Sequence, residues 1–468
     1  MAHPQIDVLI IGGGFSGTMV AVQLLRREGT LSLAVLDRSS QAGRGLAYRS
    51  PHRFHLLNVP AGNMGALPGD PEDFLHWAKR NYDASIQARS FLPRAVYGEY
   101  LGSVLDRTLA ETGRGNFRWI QDEALSLRRR RGALTVQCEQ GAGLVARAVV
   151  LATGNFPPNT PVIPGLRARS PLYVPFAWAP NTLENLPVDG SVLLLGSGLT
   201  SVDQAMELKS KAFRGVVHIL SRRGLIPSRH ERTSSWPLFW NEHSPRSTRG
   251  LLRLIRDEVD HAAERGVDWR SVVDALRPVT QQIWQSLAAE ERRRFLRHAR
   301  SYWDIHRHRL APEIADIFHD MEADGQIRFH TGRITRYSED RGLAEIVYRE
   351  RGASTEKRLH AHRIINCTGS ETDCRRIDDS LIVSLFAQGH ARPDPLFLGL
   401  DVDSHGALID SKGEPSRSLF TLGPTRKGSL WETTAVPEIR QQADELAEHL
   451  LRQLSRPSRG NDLLEPAV

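Results

Sequence analysis

The sequence predicts an α/β fold with two Rossmann-like (FAD and NADPH) dinucleotide-binding domains and a helical insertion. Three observations predict it. The run Asp7-Val8-Leu9-Ile10-Ile11-Gly12-Gly13-Gly14-Phe15-Ser16-Gly17 reads as a buried strand, a glycine turn and a helix start. A second run, Ser191-Val192-Leu193-Leu194-Leu195-Gly196-Ser197-Gly198-Leu199-Thr200-Ser201, repeats the pattern. Two apolar strands, one closing on Thr153-Gly154 and the other on Thr368-Gly369, each follow a stretch that reads as a strand meander, residues 117–148 and 327–363. The chain is thus a loose internal repeat, each half running from a glycine fingerprint to a Thr-Gly strand.

In the first unit each glycine has a distinct task. Gly12 permits the tight turn, Gly14 lets a pyrophosphate approach the backbone, and Gly17 allows close helix–strand packing. The helix that follows, over residues 19–27, offers its positive N-terminus to the phosphates. Asp37 ends the next apolar run, Leu33-Ala34-Val35-Leu36-Asp37, about twenty residues beyond the fingerprint, where an acid can hold a ribose diol. This site is expected to hold FAD.

The second unit differs where it matters for cofactor choice. Ser201 stands in for the third glycine and is still small. The following strand, Val216-Val217-His218-Ile219-Leu220, ends in Ser221-Arg222-Arg223-Gly224, with no acid at the ribose position. Arg222 and Arg223 suit a 2′-phosphate, so NADPH is expected over NADH.

The domains are expected at 1–170 (FAD-binding, first part), 171–365 (NADPH-binding), 366–455 (FAD-binding, second part) and 456–468 (a C-terminal tail). Within the NADPH domain, residues 236–325 are rich in helix formers. Leu251, Leu252, Leu254, Ile255 and Val259 recur at helical spacing, as do Val272, Val273 and Leu276. They read as the insertion, with a cover over the gap between the nucleotide domains and an oligomer interface both open as its role. Residues 438–453 read as a closing helix.

Composition bounds the remaining choices. The 468 residues are 40% hydrophobic and 25% charged, enough for a sizeable core and about three domain-sized pieces. No apolar run of about 18 residues and no signal peptide is found, so neither a membrane span nor export is expected. Cys138, Cys367 and Cys374 are too few and scattered for a disulfide framework, which fits a cytoplasmic protein. The net charge of +7 comes from dispersed arginines, apart from Arg128 to Arg131, and suits phosphorylated cofactors or acidic substrates better than nucleic acid.

A disulfide reductase needs a close cysteine pair at the flavin, and none is present. An electron-transfer reductase has no need of a long helical insertion. A monooxygenase does, because reduced flavin reacting with oxygen must be kept dry and beside its substrate. An FAD- and NADPH-dependent monooxygenase (hydroxylase) acting on a small polar nitrogenous or acidic molecule is the leading expectation. An NADPH-dependent flavin reductase serving a protein or quinone acceptor, and a non-catalytic flavin-bound sensor, remain open. The expected partners are a small-molecule substrate and molecular oxygen, with a homo-oligomer possible.

Several stretches carry a resemblance: Ile10 to Gly17; Gly45-Leu46-Ala47-Tyr48; Leu56-Leu57-Asn58-Val59-Pro60; Pro93-Arg94 with Tyr97-Gly98-Glu99-Tyr100; Tyr302 to Pro312; Leu422-Gly423-Pro424; and Leu430 to Pro437. In these the chain resembles the bacterial FAD- and NAD(P)H-dependent hydroxylases typified by urate hydroxylase and aspartate N-hydroxylase. The resemblance runs over most of the length. It departs from flavin-containing and Baeyer–Villiger monooxygenases, because their Phe-x-Gly-x-x-x-His signature, expected after Pro164-Gly165, is replaced by Leu172 to Trp178.

The resemblance puts the Asn58 loop against the flavin, although a loop asparagine making a turn reads as well. Arg94 is a candidate for the FAD pyrophosphate or for a plain salt bridge. Gly423 and Pro424 precede the closing helix, where backbone N–H groups can meet a flavin ring or pyrophosphate. As a cover, the insertion is expected to give basic contacts such as Arg307 or Arg309 to an acidic substrate. No metal is expected: His306 and His308 lack a third ligand nearby in sequence, and His298 is merely on the same insertion.

Overall fold

The computed structural model describes residues 6–455 apart from 114, 115, 131, 132, 142 and 168. Arg131 and the 456–468 tail lie outside the described residues. The apolar runs form the central strands of two sheets, and the glycine turns lie at the strands' C-terminal ends.

The first sheet is built on a parallel block in the order β15 (Pro415–Thr421), β6 (Gly143–Leu151), β1 (Ile6–Ile11), β2 (Leu33–Asp37), β3 (Phe117–Gln121). The short β14 (Ala407–Ile409) pairs antiparallel with β15, and β4 (Ala124–Arg130) and β5 (Ala133–Cys138) form an antiparallel ribbon ending on the first half of β6. The continuous burial of β1 from Val8 to Ile11 and of β6 from Ala148 to Leu151 follows from helices or loops covering both faces. Phe117–Gln121 departs from the meander expected over 117–148. It lies parallel to β2, in register from Leu33 opposite Phe117 to Asp37 opposite Gln121. Its alternation of half-buried and exposed residues marks an edge strand, which resembles a meander strand in sequence.

The second sheet runs β12 (Glu356–Ala361), β11 (Leu343–Glu350), β10 (Ile327–Asp340), β9 (Val216–Ser221), β8 (Ser191–Leu195), β13 (Arg363–Asn366), β7 (Tyr173–Val174). The long β10 serves two pairings. Ile327 to Thr331 lie parallel to β9, and the rest pairs antiparallel with β11.

Helix α1 (Phe15–Arg27) starts at the first glycine turn. With α2 (Asp73–Asn81), α3 (Arg94–Thr112) and the closing helix α13 (Val436–Leu454) it shares one core against the first sheet. Helix α11 (Ser380–Ala387) packs on the opposite face. Helix α4 (Leu199–Ser210) starts at the second glycine turn and packs with α10 (Pro312–Ala323) on the second sheet.

Between β9 and α10 the chain leaves the sheet for α5 (Thr248–Glu264), α6 (Trp269–Ala275), α7 (Thr280–Ser286), α8 (Ala289–His298) and α9 (Arg300–Arg307). These helices carry few fully buried residues of their own. Their apolar side chains, Leu251, Trp284, Leu287, Phe295 and Trp303, gather around Trp431 and Leu398, which come from the chain's return to the first sheet. The insertion therefore reaches across to the neighbouring unit and docks there.

Candidate functional site

The first glycine turn is fixed by contacts only glycine permits. Gly12 has φ +107°, and a Cβ there would overlap the Ala152 carbonyl; a Cβ at Gly17 would overlap the Gly12 carbonyl. Gly14 is different. Its φ is −71°, and an added Cβ would meet only Gly45 Cα at 3.4 Å, an ordinary contact. The fold's own contacts leave room for a side chain there, so the helix start is open to an approaching group.

Asp37 is oriented by the turn it serves. Its carboxylate accepts the Gly13 N–H at 2.6 Å and the Ser39 N–H at 2.7 Å, one on each oxygen. Each oxygen keeps a lone pair for a ribose hydroxyl. The loop carrying Gly43 and Gly45 closes over the turn. The Gly43 N–H donates to the Gly13 carbonyl at 2.9 Å and to Thr18 Oγ1 at 3.0 Å. Gly43 escaped notice in the sequence; its spacing after Asp37 was the available signal.

The Thr153-Gly154 end of β6 adjoins this turn through Ala152. Thr153 Oγ1 is a buried hydroxyl with no partner among the described residues, and Gly154 has φ +69° with open space around its Cβ position. An unpaired buried hydroxyl is costly, so this one marks a place for a ligand or water. The turn, Asp37 and Thr153 fit a bound dinucleotide.

Beside this cradle lies an open cleft of about 160 Å³, lined by Ala47, Tyr48, Leu57, Asn58, Val59, Met64, Arg94, Thr434, Ala435 and Val436. Four separate stretches converge here: Gly45 to Tyr48, Leu56 to Pro60, Arg94, and Leu430 to Pro437. The Asn58 carbonyl accepts a hydrogen bond from His230 Nε2 at 3.0 Å, which ties this wall to the segment entering the insertion.

Arg94 lines the cleft but is tied elsewhere. Its Nε donates to the Leu56 carbonyl at 3.1 Å, and its Nη2 pairs with Asp203 at 2.9 Å, while its guanidinium lies 5.8 Å from the Trp178 ring. Burial raises the Asp203 carboxyl and Arg94 lowers it in opposition. The salt bridge, the second of the two readings of Arg94, is the one the fold adopts, and it spans the two units.

Gly423 also needs correcting. It has φ +76°, and a Cβ would stand 2.9 Å from Ser16 Oγ at the start of α1. Its N–H, however, already donates to Gln442 Oε1 at 2.9 Å, so it is not free for a flavin. Pro424 follows in a short 3₁₀ turn.

In the second unit Gly196 repeats Gly12, with φ +109° and a Cβ position 2.6 Å from the Cys367 carbonyl. Gly198, like Gly14, starts a helix with open space at its Cβ. Ser201 does more than stay small: its hydroxyl donates to the Gly196 carbonyl at 2.7 Å, bracing the turn that a third glycine leaves unbraced.

The two arginines after β9 part company. Arg222 is exposed and has no partner among the described residues. Arg223 donates to the Arg297 carbonyl at 2.8 Å and the His298 carbonyl at 3.3 Å, and lies 5.5 Å from the Tyr302 ring. It closes the end of α8, where free carbonyls attract a cation. Arg222 therefore remains as the free 2′-phosphate candidate.

Arg309 is the largest correction. It is 1% exposed, and both terminal nitrogens pair with Asp274 at 3.0 and 3.1 Å, while Nε donates to the His306 carbonyl. The guanidinium locks α6 to the end of α9 and offers nothing to a substrate.

The insertion meets the cleft wall through a buried polar network. Glu432 accepts from Trp303 Nε1 at 2.9 Å and faces Arg307, which also pairs with Glu438 at 3.2 Å. Although burial alone would raise it, the Glu432 carboxyl is held below its usual range by Arg307 and His308. Trp431 takes φ +63°, a strained conformation for a bulky residue, held between Trp284 and Phe295 with ring centres at 5.1 and 5.0 Å. Among the described residues no three His, Cys, Asp or Glu side chains are grouped to hold a metal, and no helix is long and apolar enough to cross a membrane.

A family model described as FAD-NAD(P)-binding matches residues 9–156. These residues form an FAD/NAD(P)-binding domain. A protein of Escherichia coli strain K12, uncharacterized protein YdhS, is 22% identical over 214 residues, which span 42% of this chain and 38% of that protein. The match thus covers well under half of that relative. Among solved structures, DfoA bound to FAD, the cadaverine monooxygenase of the desferrioxamine pathway from Erwinia amylovora, is 15% identical with a TM-score of 0.67. It covers 100% of this chain and 99% of its own. The reduced form of ornithine hydroxylase (PvdA) from Pseudomonas aeruginosa is 16% identical with a TM-score of 0.65, over 97% and 100% of the two chains. Identities this low establish a shared fold and leave the substrate open.

Proposed function

We propose that the chain is an FAD- and NADPH-dependent monooxygenase acting on a small polar, nitrogenous or acidic molecule. The observation that carries this reading is the convergence of Tyr48, Asn58, Arg94 and Thr434 on one cleft beside the first glycine turn. The hydroxylase-like fold of the structural neighbours supports it.

Bound flavin supplies hydride acceptance from NADPH and activation of molecular oxygen. One oxygen atom then enters the substrate, the other leaves as water, and NADPH provides two electrons. The protein's part is to bind, orient and exclude water. Gly12, Gly14, Gly17 and Asp37 hold the first dinucleotide. Gly196, Gly198, Ser201 and Arg222 hold the second. Asn58, whose backbone carbonyl is held by His230, lines the cleft where the substrate would sit. The insertion docks on Trp431 and Glu432, next to the Thr434–Val436 wall, and in this reading its task is to keep water from the cleft.

The cysteines argue against a disulfide reductase. All three are free and buried, and burial pushes the Cys367 and Cys374 thiols up to about 12, far from the thiolate that exchange requires. NADPH consumption across a panel of amines, amino acids and purines, with product mass and hydrogen peroxide both measured, tests the proposal. A product one oxygen atom heavier, formed in step with NADPH loss, supports it. Fast turnover with quinones and no oxygenated product overturns it in favour of a reductase.

A further inference from the structure

Arg277 is a cation of the insertion whose hydrogen-bonding capacity its neighbours leave unfilled. It opens the 3₁₀ turn Arg277–Val279 between α6 and α7. Its Nε stands 2.9 Å from Asp274 Oδ1 but makes no hydrogen bond, and no hydrogen bond is formed by its terminal nitrogens among the described residues. Asp274 already receives both terminal nitrogens of Arg309. Arg307 is likewise taken up by Glu432 and Glu438. With a side chain 31% exposed, Arg277 keeps its planar pair of donors reachable.

Arg277 is not itself among the residues that line the cleft, but its charge reaches two groups that adjoin the cleft wall. On one side stands His230, bonded to the Asn58 carbonyl and depressed by burial and by the charges of Arg309 and Arg277. On the other stands Glu438, in the first turn of α13, two residues beyond Val436 of the cleft wall, and its charge reaches Arg277. The helix that follows Arg277 docks on that same wall: Gln281 Nε2 donates to the Glu432 carbonyl at 3.0 Å and Trp284 Nε1 to the Gly428 carbonyl at 2.8 Å. Burial and the neighbouring Arg307 lower the Arg277 guanidinium, against the opposing pull of Asp274 and Glu438.

We propose that Arg277 is the anion anchor of the substrate site, receiving the carboxylate of a small acidic substrate through its two terminal nitrogens at the insertion side of the cleft. This rests on the cleft being the substrate site, and it moves the anchoring role from Arg309 to Arg277. A planar fork suits a carboxylate bidentately, and an arginine keeps its charge where a lysine loses it.

Isothermal titration of the full chain with benzoate, and with benzamide as its neutral counterpart, tests this with and without added FAD. Benzoate is expected to bind more tightly than benzamide. Arg277→Ala should weaken benzoate about tenfold to a hundredfold, leave benzamide unchanged and keep the melting temperature, because Asp274 retains Arg309. Arg277→Lys should restore part of the affinity. Unchanged benzoate binding in Arg277→Ala overturns the proposal, as does equal binding of benzoate and benzamide, absent benzoate binding in the wild type, or loss of benzoate binding in Arg222→Ala instead. The FAD reading fails separately, by a chain that takes up no flavin at all.

Discussion

Arg94 and Asp203 form a 2.9 Å ion pair between the first residue of α3, at the wall of the cleft, and the helix that begins at the second glycine turn. The two residues lie 109 positions apart, and the pair joins the unit built on the first sheet to the unit built on the second. His55 reinforces it by bonding the Asp203 carbonyl through Nε2 at 3.1 Å. Burial makes such a pair unforgiving, since removing one partner strands the other charge.

Gly14→Ala should fold as the wild type does and lose FAD affinity by about tenfold or more, because the new Cβ has room against Gly45 and none against an approaching pyrophosphate. Gly17→Ala should instead lower the melting temperature, since its Cβ overlaps the Gly12 carbonyl. Flavin absorbance and thermal melting read the two effects apart. Full FAD occupancy in folded Gly14→Ala would falsify the phosphate role.

Arg222→Ala should raise the NADPH KM by about ten- to a hundredfold, since a charge-assisted contact is worth about 1.5–3 kcal/mol, and should leave NADH kinetics alone. Arg223→Ala should act mainly on stability, because its guanidinium closes α8. Steady-state kinetics with both cofactors checks this. Equal losses with NADH and NADPH would show that Arg222 does not read the 2′-phosphate.

Arg309→Ala should destabilise the protein by about 3 kcal/mol, as expected for breaking a buried pair. Its effect should appear in denaturant midpoint before any appears in substrate affinity. Unaltered stability with a raised KM for an acidic substrate would return Arg309 to the substrate site.

Mild acid should loosen the joint between the units. Burial lowers His55 and His230 to about 4, well below the ordinary histidine value near 6.5. In that window the unfolded chain binds more protons than the folded one, so stability is present above pH 6.5 and declines as pH falls toward 4. Each histidine contributes up to about 1.4 kcal/mol per pH unit. Melting temperatures between pH 7.5 and 5 should fall, and His230→Gln should flatten the slope. A melting temperature independent of pH over that range would contradict this.

Gly12, Gly17 and Gly196 were legible in the sequence because their work is local: a turn with positive φ, or a contact too close for a Cβ, needs glycine whatever surrounds it. The strands and helices were legible because their apolar residues repeat with the period of the element, and the edge strand Phe117–Gln121 was misplaced because half-burial looks alike in an edge and in a meander. The partners of the arginines were not legible. Arg94, Arg223, Arg277 and Arg309 are the same residue type in similar polar surroundings, and their side chains reach across folded distance rather than along the chain. Sequence by itself determined two nucleotide turns, the strands that end at them and a helical insertion between. Only the tertiary structure decided that Asp203 takes Arg94, the end of α8 takes Arg223 and Asp274 takes Arg309, because a charge is neutralised by whichever counter-charge the fold brings within about 3–4 Å.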